Sequence, residues 1–143
     1  MARVTLSGRI YFDTHIFIYA LEGYSAFRPV LTDLFDALDR RDFLAVTSEL
    51  TLAEALVKPL LDQHAERQAA YLQLLQSSAS LQMVPVSREI LIATARLRVE
   101  ASVKLPDAIH AATAQFTGCT HVLTNDTHFP TFPGLNRLLL SQL

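Results

Sequence analysis

Four acidic residues differ from the other acids of this chain in their surroundings. They are Asp13 in Ile-Tyr-Phe-Asp, Glu54 in Leu-Ala-Glu-Ala-Leu, Asp107 in Leu-Pro-Asp-Ala-Ile and Asp126 in Val-Leu-Thr-Asn-Asp. Others, such as Asp33, Asp36, Asp39 and Asp42, lie among further charges on a polar helical face. Ionised carboxylates avoid apolar segments unless something compensates for the water they lose. Brought to one place, four carboxylates raise one another's proton affinity, and a divalent cation removes that penalty. An all-oxygen donor set suits Mg²⁺ or Mn²⁺. Zinc does not fit, because His15, His110, His121 and His128 are separated and the single cysteine, Cys119, completes no ligand spacing.

Each acid also has a local explanation. Asp13 can cap the helix that follows it, and Glu54 can close a Thr-x-x-Glu box with Thr51. Asp107 can favour the positive end of a helix dipole, and Asp126 can make an Asx-turn. Four separate coincidences are a less economical account than one shared site. The elements that carry the acids decide whether they can meet.

Arg9 to Phe12 is an apolar, β-favouring run that ends at Asp13, and Ile16 to Leu21 continues as a short helix. Pro29 opens a second helix with Val30, Leu31, Leu34, Phe35 and Leu38 on one face, ending near Arg40. Phe43 to Thr47 is the second strand. Ser48 caps a helix whose Leu50, Ala53, Glu54 and Val57 share a face, and Pro59 should kink or end it. A polar-faced helix spans roughly Leu60 to Gln76, and the third strand is Leu81 to Val86. Ser87 caps a helix with a stripe of Ile90, Ala93, Leu97 and Ala101. Pro106 suits the first turn of a helix running to about Phe116, with Gly118 as its C-terminal cap. Thr120 to Thr124 is the fourth strand, and the tail from Asn136 supplies a short edge strand.

Strands alternating with helices predict an α/β fold, a three-layer α/β/α sandwich with a central parallel sheet. Asp13 and Asp126 then stand at carboxyl ends of strands, where open α/β sheets bind ligands. Glu54 sits in the second turn of the helix leaving strand 2, and Asp107 in the first turn of a later helix. All four can therefore converge on one edge. His110 follows Asp107 by three residues and shares its helical face.

At 143 residues the chain has the length of one domain and needs neither a disulfide nor a structural metal to fold. Half of its residues are hydrophobic and 18% are charged, which excludes disorder. A net charge of -2 gives no overall attraction for nucleic acid. Of its twelve basic residues, all but Lys58 and Lys104 are Arg, suited to phosphate but scattered along the chain. The lone Cys119 predicts a buried free thiol in a reducing compartment. With no long apolar run and no signal-peptide pattern, the expectation is a cytoplasmic protein without a membrane partner.

The residues around the four acids resemble the PIN-domain ribonucleases, in particular VapC-like toxins. The carriers are Tyr-Phe-Asp13-Thr14-His-Ile-Phe-Ile-Tyr, Thr47-Ser48-Glu-Leu-Thr-Leu-Ala-Glu54, Leu-Pro-Asp107-Ala-Ile-His110-Ala-Ala-Thr-Ala and Leu-Thr124-Asn125-Asp126-Thr-His-Phe129. Each motif is weak alone; their order and spacing over nearly the whole chain are specific. The resemblance implies a single nuclease domain over residues 1–143 with an acidic pocket for one or two Mg²⁺ or Mn²⁺ ions. It makes Asp13, Glu54, Asp107 and Asp126 the catalytic and metal-binding quartet. Thr14, Ser48, His110, Thr124 and Asn125 become supporting or substrate-side residues. His15 falls where many members carry Asn or Ser. The implied reaction is hydrolysis of an RNA phosphodiester to 5′-phosphate and 3′-hydroxyl ends, and the implied partners are RNA and a small antitoxin.

Rival readings lack their own residues. A haloacid dehalogenase-type phosphatase needs an acid two residues after Asp13, and that position is His15. A receiver-like phosphoacceptor domain needs a late lysine that neither Lys58 nor Lys104 supplies. A non-catalytic RNA- or protein-binding module remains the alternative, although binding alone gives no reason for four costly acids. The apolar faces of the Ser48 to Lys58 and Leu60 to Gln76 helices offer a surface for a homodimer or an antitoxin helix; the alternative is that they only cover the sheet.

Overall fold

The computed structural model describes residues 6–131 and 133–143. Five parallel strands form one sheet in the order β3-β2-β1-β4-β5: β1 (Arg9–Phe12), β2 (Leu44–Ser48), β3 (Leu81–Val84), β4 (His121–Thr124) and β5 (Asn136–Leu139). Six helices connect and cover them: α1 (Thr14–Glu22), α2 (Arg28–Asp39), α3 (Glu49–Leu61), α4 (Ala65–Leu74), α5 (Arg88–Ala101) and α6 (Leu105–Phe116). No helix among the described residues is long and apolar enough to cross a membrane.

The alternation of side chains along β1 separates two cores. Ile10 and Phe12 point into one built with Ile16, Phe17, Leu31, Leu34, Leu38, Ala55 and Tyr71 from α1 to α4. Tyr11 points the other way, into a second core with Ile90, Ala111, Ala112 and Ala114 from α5 and α6. Helices therefore cover both faces, the expected α/β/α layering. Phe12 is completely buried among Phe17, Phe35 and Phe43, with ring centroids 5.6, 6.1 and 6.0 Å away. A side chain of that kind contributes roughly 1.5–3 kcal/mol through burial.

Strand order creates the place for a site. From the central β1 the chain moves outward to β2 and β3, then returns to the other side of β1 as β4 and β5. The direction of winding reverses between β1 and β4, and the carboxyl ends of two such strands leave a crevice. Asp13 follows β1 directly, with its amide donating to Leu123 O of β4 at 3.0 Å.

Three expectations are corrected. Pro59 does not end α3 at once: the helix runs through it to Leu61, because a proline in the last turn forfeits one amide bond and leaves little helix to distort. The chain then reverses through Gln63 (φ 53°), and α4 begins only at Ala65. The buried face of α3 is Thr51, Ala55 and Pro59, and Leu50, Ala53 and Val57 lie on the face beside it. On the second face Val57 is 54% exposed and Leu61 77%. Ala101, expected in the α5 stripe, is exposed at the helix end, while Ile90 and Thr94 are its buried residues. Other boundaries shift by a few residues; α1, for example, begins at Thr14 because Asp13 caps it. Gly118, in the left-handed region at φ 74°, terminates α6 as expected, with the Cys119 amide returning to Ala114 O.

Candidate active site

Asp13 is held from two sides. Its Oδ1 accepts the Thr14 amide at 2.8 Å, so it caps α1, and its Oδ2 accepts the Thr124 hydroxyl at 2.7 Å. Thr124 Oγ1 also accepts the Asp126 amide at 3.0 Å, which ties the loop after β4 to the end of β1. Asp126 makes its Asx-turn, taking the His128 amide on Oδ1 at 2.8 Å, and remains open to solvent. The local roles of Asp13 and Asp126 are thus real, and they fix both carboxylates at the crevice instead of competing with it.

Glu54 reaches the same edge from the second turn of α3. One of its oxygens, Oε1, takes His110 Nε2 at 2.6 Å and the Thr14 hydroxyl at 2.8 Å. Its capping-box role is absent: Ser48 caps α3 through the Leu50 amide at 3.0 Å, and Thr51 turns inward. Burial pushes the Glu54 carboxyl up, but the hydrogen bonds from His110 and Thr14 outweigh it and hold the group below its ordinary range. Asp107 is in the first turn of α6, half-buried, and makes no side-chain hydrogen bond among the described residues. Burial raises its proton affinity first, then the charges of Asp13 and Asp126, with Glu54 adding to them and His110 opposing.

The four predicted acids therefore share one electrostatic environment. None forms an ion pair with a Lys or Arg among the described residues; the only partners within ion-pair distance are His110 on Glu54 and His128 on Asp126, the latter at 3.9 Å. Among the described residues no three His, Cys, Asp or Glu side chains close into a ready-made metal cage. That arrangement still fits a hydrated hard cation, since Mg²⁺ keeps several waters and uses only one or two carboxylates directly. The donor set is all oxygen, and the neighbouring carboxylates add to burial in raising the proton affinity of Asp107.

The supporting residues divide. Thr14 and Thr124 touch the acids. Ser48 is buried and occupied as a helix cap, with its amide donating to the Tyr11 phenol at 3.1 Å. Asn125 is half-buried with no side-chain hydrogen bond among the described residues. His15 is exposed on α1, its ring 5.9 Å from that of Tyr19. The sequence assigned no supporting role to Tyr11, Thr47 or, beyond a local cap, Thr51. Thr51 Oγ1 lies 3.3 Å from Thr14 Oγ1 and 2.7 Å from Thr47 Oγ1, and Thr47 donates to Phe12 O at 2.9 Å. The available signal was Tyr11 itself, because a tyrosine in a buried strand needs a partner for its hydroxyl. It finds one in His110 Nδ1 at 2.5 Å.

The PIN domain family profile matches residues 10–135. The chain belongs to the PIN-domain family. Solved structures agree on the fold of this PIN domain. A VapBC complex of Rickettsia felis bound to promoter DNA superposes with a TM-score of 0.71 at 18% identity, covering 92% of this chain and 98% of that one. A toxin-antitoxin complex of Klebsiella pneumoniae has a TM-score of 0.65 at 25% identity over 88% and 94% of the two chains. A Mycobacterium tuberculosis VapC toxin that cleaves the sarcin-ricin loop has a TM-score of 0.68 at 16% identity over 84% and 92%. No curated protein sequence matches the chain.

Proposed function

We propose that this PIN domain is an endoribonuclease dependent on Mg²⁺ or Mn²⁺ and acts in the cytoplasm as the toxin of a toxin-antitoxin pair. One observation supports the proposal: Asp13, Glu54, Asp107 and Asp126 stand together at the β1/β4 edge with no Lys or Arg paired to them among the described residues. Carboxylates left in that state attract a hard cation. When bound, the ion supplies a water of lowered pKa and stabilises charge on the attacked phosphate and the leaving oxygen.

Asp13 and Asp107 are the principal ligands in this reading. Thr14 and Thr124 fix the Asp13 carboxylate, while Asp107 has no hydrogen bond to give up. Glu54 leaves its Oε2 without a hydrogen bond among the described residues, free to hold the ion or to orient the attacking water and accept its proton. Asp126 binds directly or through water. Arg side chains and main-chain amides around the crevice hold the RNA by its phosphates. The products are 5′-phosphate and 3′-hydroxyl ends.

An antitoxin partner is supported by the relatives, several of which are toxin-antitoxin complexes. The exposed Val57, Leu60 and Leu61 at the end of α3, with Leu72 of α4, supply an apolar surface for a second copy. A size measurement finding only monomer at high concentration removes the dimer. The function is tested by incubating antitoxin-free protein with structured RNA and Mg²⁺ or Mn²⁺, beside EDTA and Asp13→Asn controls. Cleavage in the first arm alone supports the proposal. Neither cleavage nor metal binding in wild type leaves a binding module.

A further inference from the structure

Behind the acidic crevice lies a buried chain of polar groups that no role as metal ligand explains. It runs from the Ser48 amide to the Tyr11 phenol at 3.1 Å, on to His110 Nδ1 at 2.5 Å, and from His110 Nε2 to Glu54 Oε1 at 2.6 Å. Tyr11 is completely buried and His110 is 1% exposed. The two rings meet edge to face, 5.7 Å between centroids and 65° between planes. Four separate elements contribute, β1, β2, α3 and α6, and no buried side-chain polar atom among the described residues lacks a partner. Placing a tyrosine hydroxyl and an imidazole in a core is costly unless both are satisfied, so a chain this complete constrains its members tightly.

Its direction follows from the donors. The Ser48 amide donates to the phenol oxygen, and His110 Nδ1 is the acceptor within reach of the phenol's own proton, which pairs the two when the phenol donates to Nδ1. Nδ1 is then an acceptor, and the ring proton must sit on Nε2, facing the carboxylate. Glu54 has the most rotatable side chain of the four acids, and two donors on the same oxygen, His110 and Thr14, pin it. Oε2 is thereby left without a hydrogen bond among the described residues.

We infer that Tyr11 and His110 are positioning residues for Glu54: the phenol sets the imidazole tautomer, and the imidazole Nε2–H fixes the carboxylate so that one oxygen is presented to the cation and the attacking water. The inference rests on the proposed nuclease reading for its kinetic consequence, but not for its structural core. Outer partners of this kind are commonly worth about 10- to 100-fold in metal affinity or activity.

The test combines one spectroscopic and one kinetic measurement on the full chain. Imidazole nitrogen NMR on ¹⁵N-histidine-labelled protein should show His110 as the neutral Nε2–H form, with its Nδ1 signal moving in Tyr11→Phe. In kinetics, His110→Leu should lower kcat and Mn²⁺ affinity about 10- to 100-fold with the KM for RNA little changed. His110→Gln retains an amide donor and should recover part of that loss, and Tyr11→Phe should lose least. Circular dichroism at the assay temperature restricts the comparison to folded variants; if His110→Leu does not fold, Tyr11→Phe and the NMR signals decide. An Nδ1–H tautomer in wild type overturns the inference, as does a folded His110→Leu with wild-type kcat and Mn²⁺ affinity. Wild type that cuts no RNA yet shows the Nε2–H form would sink the nuclease reading and leave the tautomer assignment standing.

Discussion

Two glutamates in this protein are held in nearly the same way and do opposite work. Glu22, at the end of α1, accepts the Tyr71 hydroxyl at 2.6 Å on one oxygen and Arg67 at 3.3 Å on the other. Glu54 accepts a His110 nitrogen and the Thr14 hydroxyl. Both are partly buried and each meets an aromatic ring. The difference is charge. Arg67 balances Glu22, and the cluster clasps α4 against α1. Around Glu54 stand Asp13, Asp107 and Asp126 with no Arg or Lys paired to them among the described residues, and that imbalance is what the proposed cation would relieve. Burial and hydrogen bonding do not distinguish the two acids; local charge balance does, and the proposed role of Glu54 rests on it.

The widest separation should come from Asp13→Asn beside Glu22→Gln. Asp13→Asn removes an anchor worth several kcal/mol in the transition state, a loss of more than about a hundredfold in cleavage, with melting temperature little changed. Glu22→Gln should do the reverse, leaving RNA cleavage intact while costing about 1–3 kcal/mol in denaturant unfolding. Tyr71→Phe is the milder form of the same experiment. Its phenol, kept protonated by burial and by Glu22, loses one hydrogen bond of about 1 kcal/mol and no activity.

The smallest effects carry the sharpest sign. Because the folded protein raises the pKa of Asp107, its ionised form opposes folding, and metal-free Asp107→Asn should melt slightly higher than wild type at neutral pH. The advantage should shrink as pH falls below the raised pKa and be gone below the ordinary aspartate range, where Asp107 is protonated in both the folded and the unfolded chain. Glu54 has the opposite sign. Its lowered pKa stabilises the fold above the ordinary glutamate range, and that contribution is lost as pH drops through the lowered value. Differential scanning of metal-free Asp107→Asn and Glu54→Gln against wild type across acidic and neutral pH checks both. Parallel curves for the two variants would erase the distinction.

Most of this architecture was legible from residue patterning. The alternation of apolar runs with helical stripes specified the parallel sheet, and Ser48, Ser87 and Gly118 marked helix ends where they occur. Which face of α3 packs inward was not legible, because Leu50, Ala53 and Val57 are as apolar as the residues that are buried; helical period alone cannot rank two apolar stripes when one covers the sheet and the other faces outward. The four acids were visible because each interrupts an apolar segment. What held them was not. The Tyr11–His110–Glu54 chain joins residues 99 and 56 positions apart in sequence, and its partners depend on the pairing of β1 with β2 and the packing of α6. Thr51 was seen as a local cap, whereas its hydroxyl turns toward Thr14 and Thr47.

The central claim is that the unbalanced acids at the β1/β4 crevice hold a divalent cation. A titration of antitoxin-free protein with Mn²⁺, read as the rise in melting temperature, tests it without dependence on any particular RNA. Ligand that binds only the folded state at a hundred times its dissociation constant stabilises by about 2.7 kcal/mol. The account predicts a saturable rise in wild type and in Glu22→Gln, absent in Asp13→Asn. No rise in wild type, or an equal rise in Asp13→Asn, would contradict it.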